Sequence, residues 1–212
     1  MNRILPILFN TDMVRAILEK RKSATRRGIK KSQCMLMDKK SPFELKKEVK
    51  YDPWCTMSDA EYVAATYKTP YNPGDILYVR ETWCHANKEG IEPDYYYYAD
   101  TFMCEDYDET EWKWRPSIHM PKDAARIWLR VTDVRVKRLQ DMTLDDFLNE
   151  GVVIRPESFN DSKNAYQQAK EVFRALWDST IRKPEFKSYG WNANPWVWVI
   201  RFERLEKTAG GF

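Results

Sequence analysis

An α+β fold is predicted by three observations. Stretches with strand character stand near the start, in the middle and at the end of the chain: Ile4 to Phe9, Ile76 to Arg80, Arg126 to Leu139 and Trp196 to Leu205. Between them apolar residues recur at helical spacing, as Val14, Ile17 and Leu18 and again as Val172, Phe173, Leu176 and Trp177. The 212 residues suffice for one sizeable domain spanning the whole chain, and no internal repeat divides them.

Taken in order, the first strand contains Pro6, which suits an edge or a strand start. Thr11 or Asp12 is positioned to cap the helix that follows. Next comes Lys20-Arg21-Lys22-Ser23-Ala24-Thr25-Arg26-Arg27, with five cations among eight side chains. Lys22 and Thr25 would point to opposite faces of a straight strand but can share a face in a turn, so a bend at Lys22 to Ala24 and a strand from about Thr25 are expected. Residues 31–72 are weakly periodic, with Lys and Glu clustered from Lys39 to Lys50. They read as an insertion holding one short helix near Ser58 to Tyr67, capped by Ser58 or Asp59.

Asn72-Pro73-Gly74-Asp75 is a turn that launches the strand Ile76 to Arg80. A second insertion, 84–113, contains Tyr95-Tyr96-Tyr97-Tyr98, which reads as a strand rather than a base-stacking platform. Arg126 to Leu139 marks one or two strands broken at Thr132-Asp133, with Arg135, Lys137 and Arg138 on a solvated side. Thr143 is placed to cap a short helix whose first turn carries Asp145 and Asp146 and which Gly151 ends. Tyr166 to Trp177 is a second clear helix, 180–195 a loop, and Trp196 to Leu205 a last strand buried on both faces at its start.

The net charge of +3 implies only weak whole-molecule attraction to nucleic acid, but the charge is unevenly spread. Arg15 to Lys31 holds eight basic residues and one acidic, whereas Glu89 to Glu111 holds nine acidic and none basic. Nine Trp, twelve Tyr and nine Phe exceed what a Leu-rich core uses, so some are expected to line a groove. Cys34, Cys55, Cys84 and Cys104 have no paired spacing, and neither a metal, a disulfide framework nor a cofactor is expected. The apolar run at Ile4 to Phe9 is too short for a signal or a membrane span, so a cytoplasmic location without a membrane partner is expected.

The run Arg21-Lys22-Ser23-Ala24-Thr25-Arg26-Arg27 after a short helix resembles the signature of ASCH domains, which belong to the PUA-like β-barrels associated with RNA and modified nucleobases. Pro73-Gly74-Asp75-Ile76-Leu77-Tyr78-Val79 and Trp198-Val199-Ile200-Arg201-Phe202-Glu203 resemble a strand start and the closing strand of that family. Tyr78 to Trp83, Trp114 to Pro121 and Tyr189 to Trp196 look like its phage and prophage members. The resemblance implies a PUA-like mixed β-barrel with flanking helices, interrupted by the two insertions. The family includes an N4-acetylcytidine amidohydrolase, whose catalytic Lys, Thr and Glu would fall on Lys22, Thr25 and Glu150. Two departures stand out: Lys20 occupies a position where the family usually has Gly, and Arg26 replaces an apolar residue.

Removing an acyl group from an exocyclic amine needs a nucleophile, a base for its proton and stabilisation of the oxyanion. The resemblance implies Thr25 as nucleophile, Lys22 as activator and Glu150 as the group that orients Lys22 or shuttles a proton. The cations around Lys22 push its pKa down and Glu150 pushes it up, and the sequence leaves that balance open. Glu150 at a helix C-terminus is disfavoured by the dipole, so it requires a partner, for which Lys22 is the candidate. Arg27, on the strand face of Thr25, is the candidate for holding the oxyanion or a substrate oxygen. Arg80, Glu81, Trp83, Arg115 and Ser117 are candidates for a pocket reading a base edge. The alternatives are that Lys22 and Glu150 form an ordinary ion pair, that Glu81 pairs with an arginine of the basic turn, and that the protein binds RNA or a modified nucleotide without turnover or serves only as a scaffold.

Overall fold

The computed structural model describes residues 2–35, 58–85, 95–103, 113–157 and 161–206. The Lys39 to Lys50 cluster, Cys55, Cys104 and most of the acidic run lie outside the described residues.

Five strands form a mixed sheet in the order β1 (Ile4–Leu8), β3 (Ile76–Arg80), β6 (Trp128–Arg138), β7 (Trp196–Leu205), β2 (Ala24–Gly28). β1 runs parallel to β3, and the other neighbours are antiparallel. A separate antiparallel ribbon pairs β4 (Trp83–His85) with β5 (Tyr95–Tyr97). The helices are α1 (Thr11–Leu18), α2 (Asp59–Thr66), α3 (Leu144–Asn149), α4 (Ser162–Thr180) and α5 (Phe186–Tyr189), so the class is α+β. Among the described residues no helix is long and apolar enough to cross a membrane.

Alternation along β7 divides the interior. Trp196, Trp198, Ile200 and Phe202 face a core built with Ile7, Phe9, Val14, Ile17, Leu77, Val79, Leu129 and Val131. Val197 and Val199 face the opposite side, where Phe147 of α3 and Phe173 and Trp177 of α4 cover the sheet. The strand is thus buried on both faces, as its apolar start predicts. Pro6 lies on the edge strand β1, where a missing N–H costs no ladder bond.

Several boundaries differ from expectation. Asn10 caps α1, rather than Thr11 or Asp12: its backbone is extended and its side chain accepts from the Met13 N–H. β6 is one strand that absorbs Thr132 in a bulge between Val131 and Asp133 instead of breaking there. α4 is longer than its apolar stripe, because Asp161 caps it from a polar turn. Residues 180–195, read as a loop, contain α5 and short 3-10 turns. By contrast, Ser58 forms the expected cap, in a reciprocal capping box with Glu61.

Two helix ends meet, and they build the site. At the end of α1, Lys20 takes φ +61, its N–H donates to Ile17 O at 3.1 Å, and the Arg21 N–H donates to Ala16 O at 2.8 Å. This is a Schellman termination with lysine where glycine is favoured. At the end of α3, Gly151 takes φ +91, its N–H donates to Leu148 O at 2.8 Å, and the Val152 N–H donates to Phe147 O at 3.2 Å. The two terminations touch: a Cβ on Gly151 would stand 2.8 Å from Ala16 Cβ and 3.3 Å from Lys22 Cβ. Gly151→Ala is therefore expected to cost about 2–4 kcal/mol, combining left-handed strain with overpacking, which a urea or thermal melt measures.

Candidate active site

The basic turn is laced to the end of α3 residue by residue. Arg21 Nη1 donates to Gly151 O at 2.9 Å, Lys22 Nζ to Glu150 O at 2.9 Å, and both the Ser23 N–H and Oγ to Asn149, at 2.9 Å each. Carbonyls left unpaired by the end of the helix thus find donors in the turn. The Phe202 N–H donates to Ser23 O at 2.9 Å, and from Ala24 the chain joins β7 as β2. This is the bend expected at Lys22 to Ala24.

Lys22, Thr25, Arg26 and Glu150 are all buried, at 4%, 2%, 3% and 3% exposure, an unusual density of polar groups in a small volume. Lys22 Nζ lies 2.7 Å from Glu150 Oε2, and Arg26 Nη1 donates to Glu150 Oε1 at 3.0 Å, so each carboxylate oxygen has its own cation. Arg26 Nη2 is 3.3 Å from Asp146 Oδ1, near enough for charge attraction but not aligned as a hydrogen bond. Arg26, which stands where the resembled pattern has an apolar residue, is compensated by a carboxylate one helical turn before Glu150.

Register separates the roles of neighbouring residues. Arg26 pairs with Val199 and lies on the α3 face, whereas Thr25 and Arg27, opposite Ile200 and Trp198, lie on the face of Phe9. Lys22 Nζ and the Arg27 guanidinium both sit over the Phe9 ring, at 5.6 and 5.4 Å from its centroid. Arg27 Nη2 also donates to Leu8 O at 2.7 Å, spanning from β2 to the end of β1, the two outer strands of the sheet. Among the described residues the Thr25 hydroxyl donates to nothing.

The pKa balance that the sequence leaves open at Lys22 falls on the low side. Burial pulls its pKa down from the ordinary lysine value, Glu150 pulls it back up, and Arg27 and Arg26 push it down again, with a net lowering. Burial, rather than the neighbouring arginines, is the largest cause. Burial would raise the Asp146 carboxyl, but the Thr143 N–H and the charge of Arg26 outweigh it and leave Asp146 below the usual carboxylate range.

The second set of candidates forms a separate neighbourhood. Both Glu81 oxygens accept from Arg126 at 3.0 Å, and Arg126 also pairs with Asp100 and lies 3.9 Å from the Tyr97 ring centroid. Glu81 therefore pairs with an arginine of the chain's middle, not with the basic turn. Trp83 is buried, joined to Arg115 through a backbone bridge and under its guanidinium at 5.3 Å. Arg80 Nη1 donates to Ile118 O at 3.2 Å, in the segment that begins with the half-buried Ser117. Arg80 follows Tyr78 on the face opposite Leu77 and Val79, away from the face of Thr25.

Sequence reasoning missed Phe9, Asp146 and Trp198. Phe9 reads as the last apolar residue of a strand and Asp146 as a first-turn helix acid, and only the folded register brings them to Lys22 and Arg26. Comparison of the chain with protein-family models, with curated proteins and with solved structures gives no match in any of the three.

Proposed function

We propose that the protein is an amidohydrolase that removes an acyl group from the exocyclic amine of a modified nucleoside such as N4-acetylcytidine, on a PUA-like (ASCH) scaffold acting in the cytoplasm. The observation that carries this reading is a buried lysine of lowered pKa, oriented by two bonds to Glu150, just before the strand that presents Thr25, whose hydroxyl donates to nothing among the described residues. The left-handed backbone at Lys20 adds support, because it accounts for the glycine usual at that position of the resembled pattern.

In this mechanism Thr25 Oγ attacks the acyl carbon while its proton passes to the neutral Lys22 amine. Arg27 faces the oxygen that becomes negative. The C–N bond then breaks and Lys22 returns its proton to the departing amine. Water attacks the resulting ester, Lys22 takes the water's proton, and Thr25 leaves as the hydroxyl with the carboxylic acid released. Glu150 holds the Lys22 nitrogen throughout, and Arg26 neutralises the second Glu150 oxygen.

The test is release of cytidine from N4-acetylcytidine by the purified protein; no release from this or other N-acylated nucleosides would refute the reading. A pH profile checks the base. Activity is expected to rise as Lys22 loses its proton, with a midpoint below that of an ordinary lysine. Linkage gives the same window for stability: the unfolded chain binds more protons between the folded and ordinary lysine values, so the Lys22 contribution grows more favourable as pH rises through it. A profile that shows no rise at any pH where the protein stays folded would exclude Lys22 as base.

The second reading, a module that binds RNA or a modified nucleotide without turnover, is favoured by one observation: Glu150 is neutralised twice over, as in a structural ion network. It predicts a polynucleotide affinity that falls steeply with salt, which a nucleoside hydrolase would lack.

A further inference from the structure

Trp198 lies near the start of β7, 3% exposed, and its Nε1 is buried with no hydrogen-bond partner among the described residues. A buried indole N–H with no acceptor is uncommon, because the group loses water and gains nothing in return. The position of this one is informative. Trp198 stands directly opposite Arg27 on β2, and Thr25 is opposite Ile200, two residues along β7 on the same face. Across an antiparallel pair, side chains directly opposite are neighbours and diagonal ones remain within reach of an indole. Val136 flanks Trp198 on the other side, from β6, and supplies no acceptor.

Two other donors at this face already have partners. Lys22 Nζ is bonded to Glu150 twice, and Arg27 Nη2 is bonded to Leu8 O. We propose that Trp198 is a catalytic residue of the Thr25 site: its indole N–H donates to the carbonyl oxygen of the acyl group that Thr25 attacks, and shares with Arg27 the negative charge that develops there. The inference rests on the amidohydrolase reading and deepens it, because it assigns the acyl oxygen to a neutral donor fixed on a central strand. A donor held rigidly by the sheet needs no reorganisation when charge appears.

Trp198→Phe keeps an aromatic ring in the core and removes the N–H. It is expected to lower kcat on N4-acetylcytidine about a hundredfold with a smaller change in KM. Because the removed group is unpaired, the melting temperature is expected not to fall by the amount a broken hydrogen bond would cause. Turnover in Trp198→Phe within about twofold of wild type, with wild type active, would overturn the inference and leave the amidohydrolase reading standing.

A second measurement is independent of turnover. In protein labelled at the indole nitrogens, the Trp198 resonance is identified by its loss in Trp198→Phe. Titration with N4-acetylcytidine, in the slow Thr25→Val background, is expected to move that resonance downfield. If wild type releases no cytidine and the resonance still moves, the hydrolase reading fails while Trp198 remains a substrate contact. An unmoved resonance overturns the inference.

Discussion

Replacing Thr25 by valine is expected to lower turnover of an N-acylated nucleoside by at least about a thousandfold while leaving the fold unchanged. The two side chains have nearly the same shape, and valine suits a strand at least as well as threonine. The Thr25 hydroxyl donates to nothing among the described residues, so its removal breaks no donated bond that holds β2 to β7. The melting temperature is therefore expected to stay within about 2 °C of wild type, since surface-neutral or unpaired groups contribute little. An activity loss without a stability loss separates a nucleophile from a strand threonine. Retained turnover in a folded Thr25→Val protein would remove Thr25 from the mechanism.

Glu150→Ala is expected to have the largest effect on stability, about 3–5 kcal/mol, because it leaves the buried Lys22 without a counter-ion and takes one of two carboxylates from the buried Arg26. Lys22 is fully buried at its side chain and Arg26 nearly so, at 0% and 1% exposure. Asp146 remains as an ion-pair partner for Arg26, but Lys22 keeps only the backbone carbonyl of residue 150. Losing Glu150 also removes the charge that raises the Lys22 pKa, so the lysine in the variant sheds its proton more readily. The destabilisation is thus expected to shrink as pH rises, since a neutral Lys22 no longer needs an anion. For a chain of this size the loss at neutral pH corresponds to roughly 10 °C in melting temperature, followed by calorimetry at two pH values. A cost below about 1 kcal/mol would mean that Lys22 is neutral in the native protein at neutral pH, and would leave Glu150 without a holding role.

Much of the frame is legible in the letters. The turn at Asn72 to Asp75 and the strand Ile76–Arg80 follow from Pro and Gly placement beside β-branched and aromatic residues, and the last strand from ten residues with few breaks. Thr143 and Gly151 bracket α3 because capping and left-handed termination are local events that side-chain chemistry dictates. The need of Glu150 for a cation at a helix C-terminus is likewise local, and the structure pairs it with Lys22.

What was not legible is non-local. Arg26 and Arg27 are adjacent in sequence but go to opposite faces of β2, one to carboxylates on α3 and one to an aromatic ring and a carbonyl at the end of β1. Sequence alone gives neither partner. Glu81 reads as a pocket residue until Arg126, forty-five positions on, closes on both of its oxygens. Lys20 takes the left-handed conformation that glycine favours, a backbone feature that a lysine side chain conceals in the sequence. Trp198 reads as one core aromatic among several, and its unpaired N–H exists only in the folded register.

The measurement closest to the central claim is a rapid acid quench of the protein mixed with N4-acetylcytidine, followed by mass analysis of the peptide that contains Thr25. The account predicts cytidine release together with a transient gain of one acetyl group on that peptide, absent in Thr25→Val. Cytidine released at the wild-type rate by Thr25→Val, or an acetyl group found only on another residue, would contradict it.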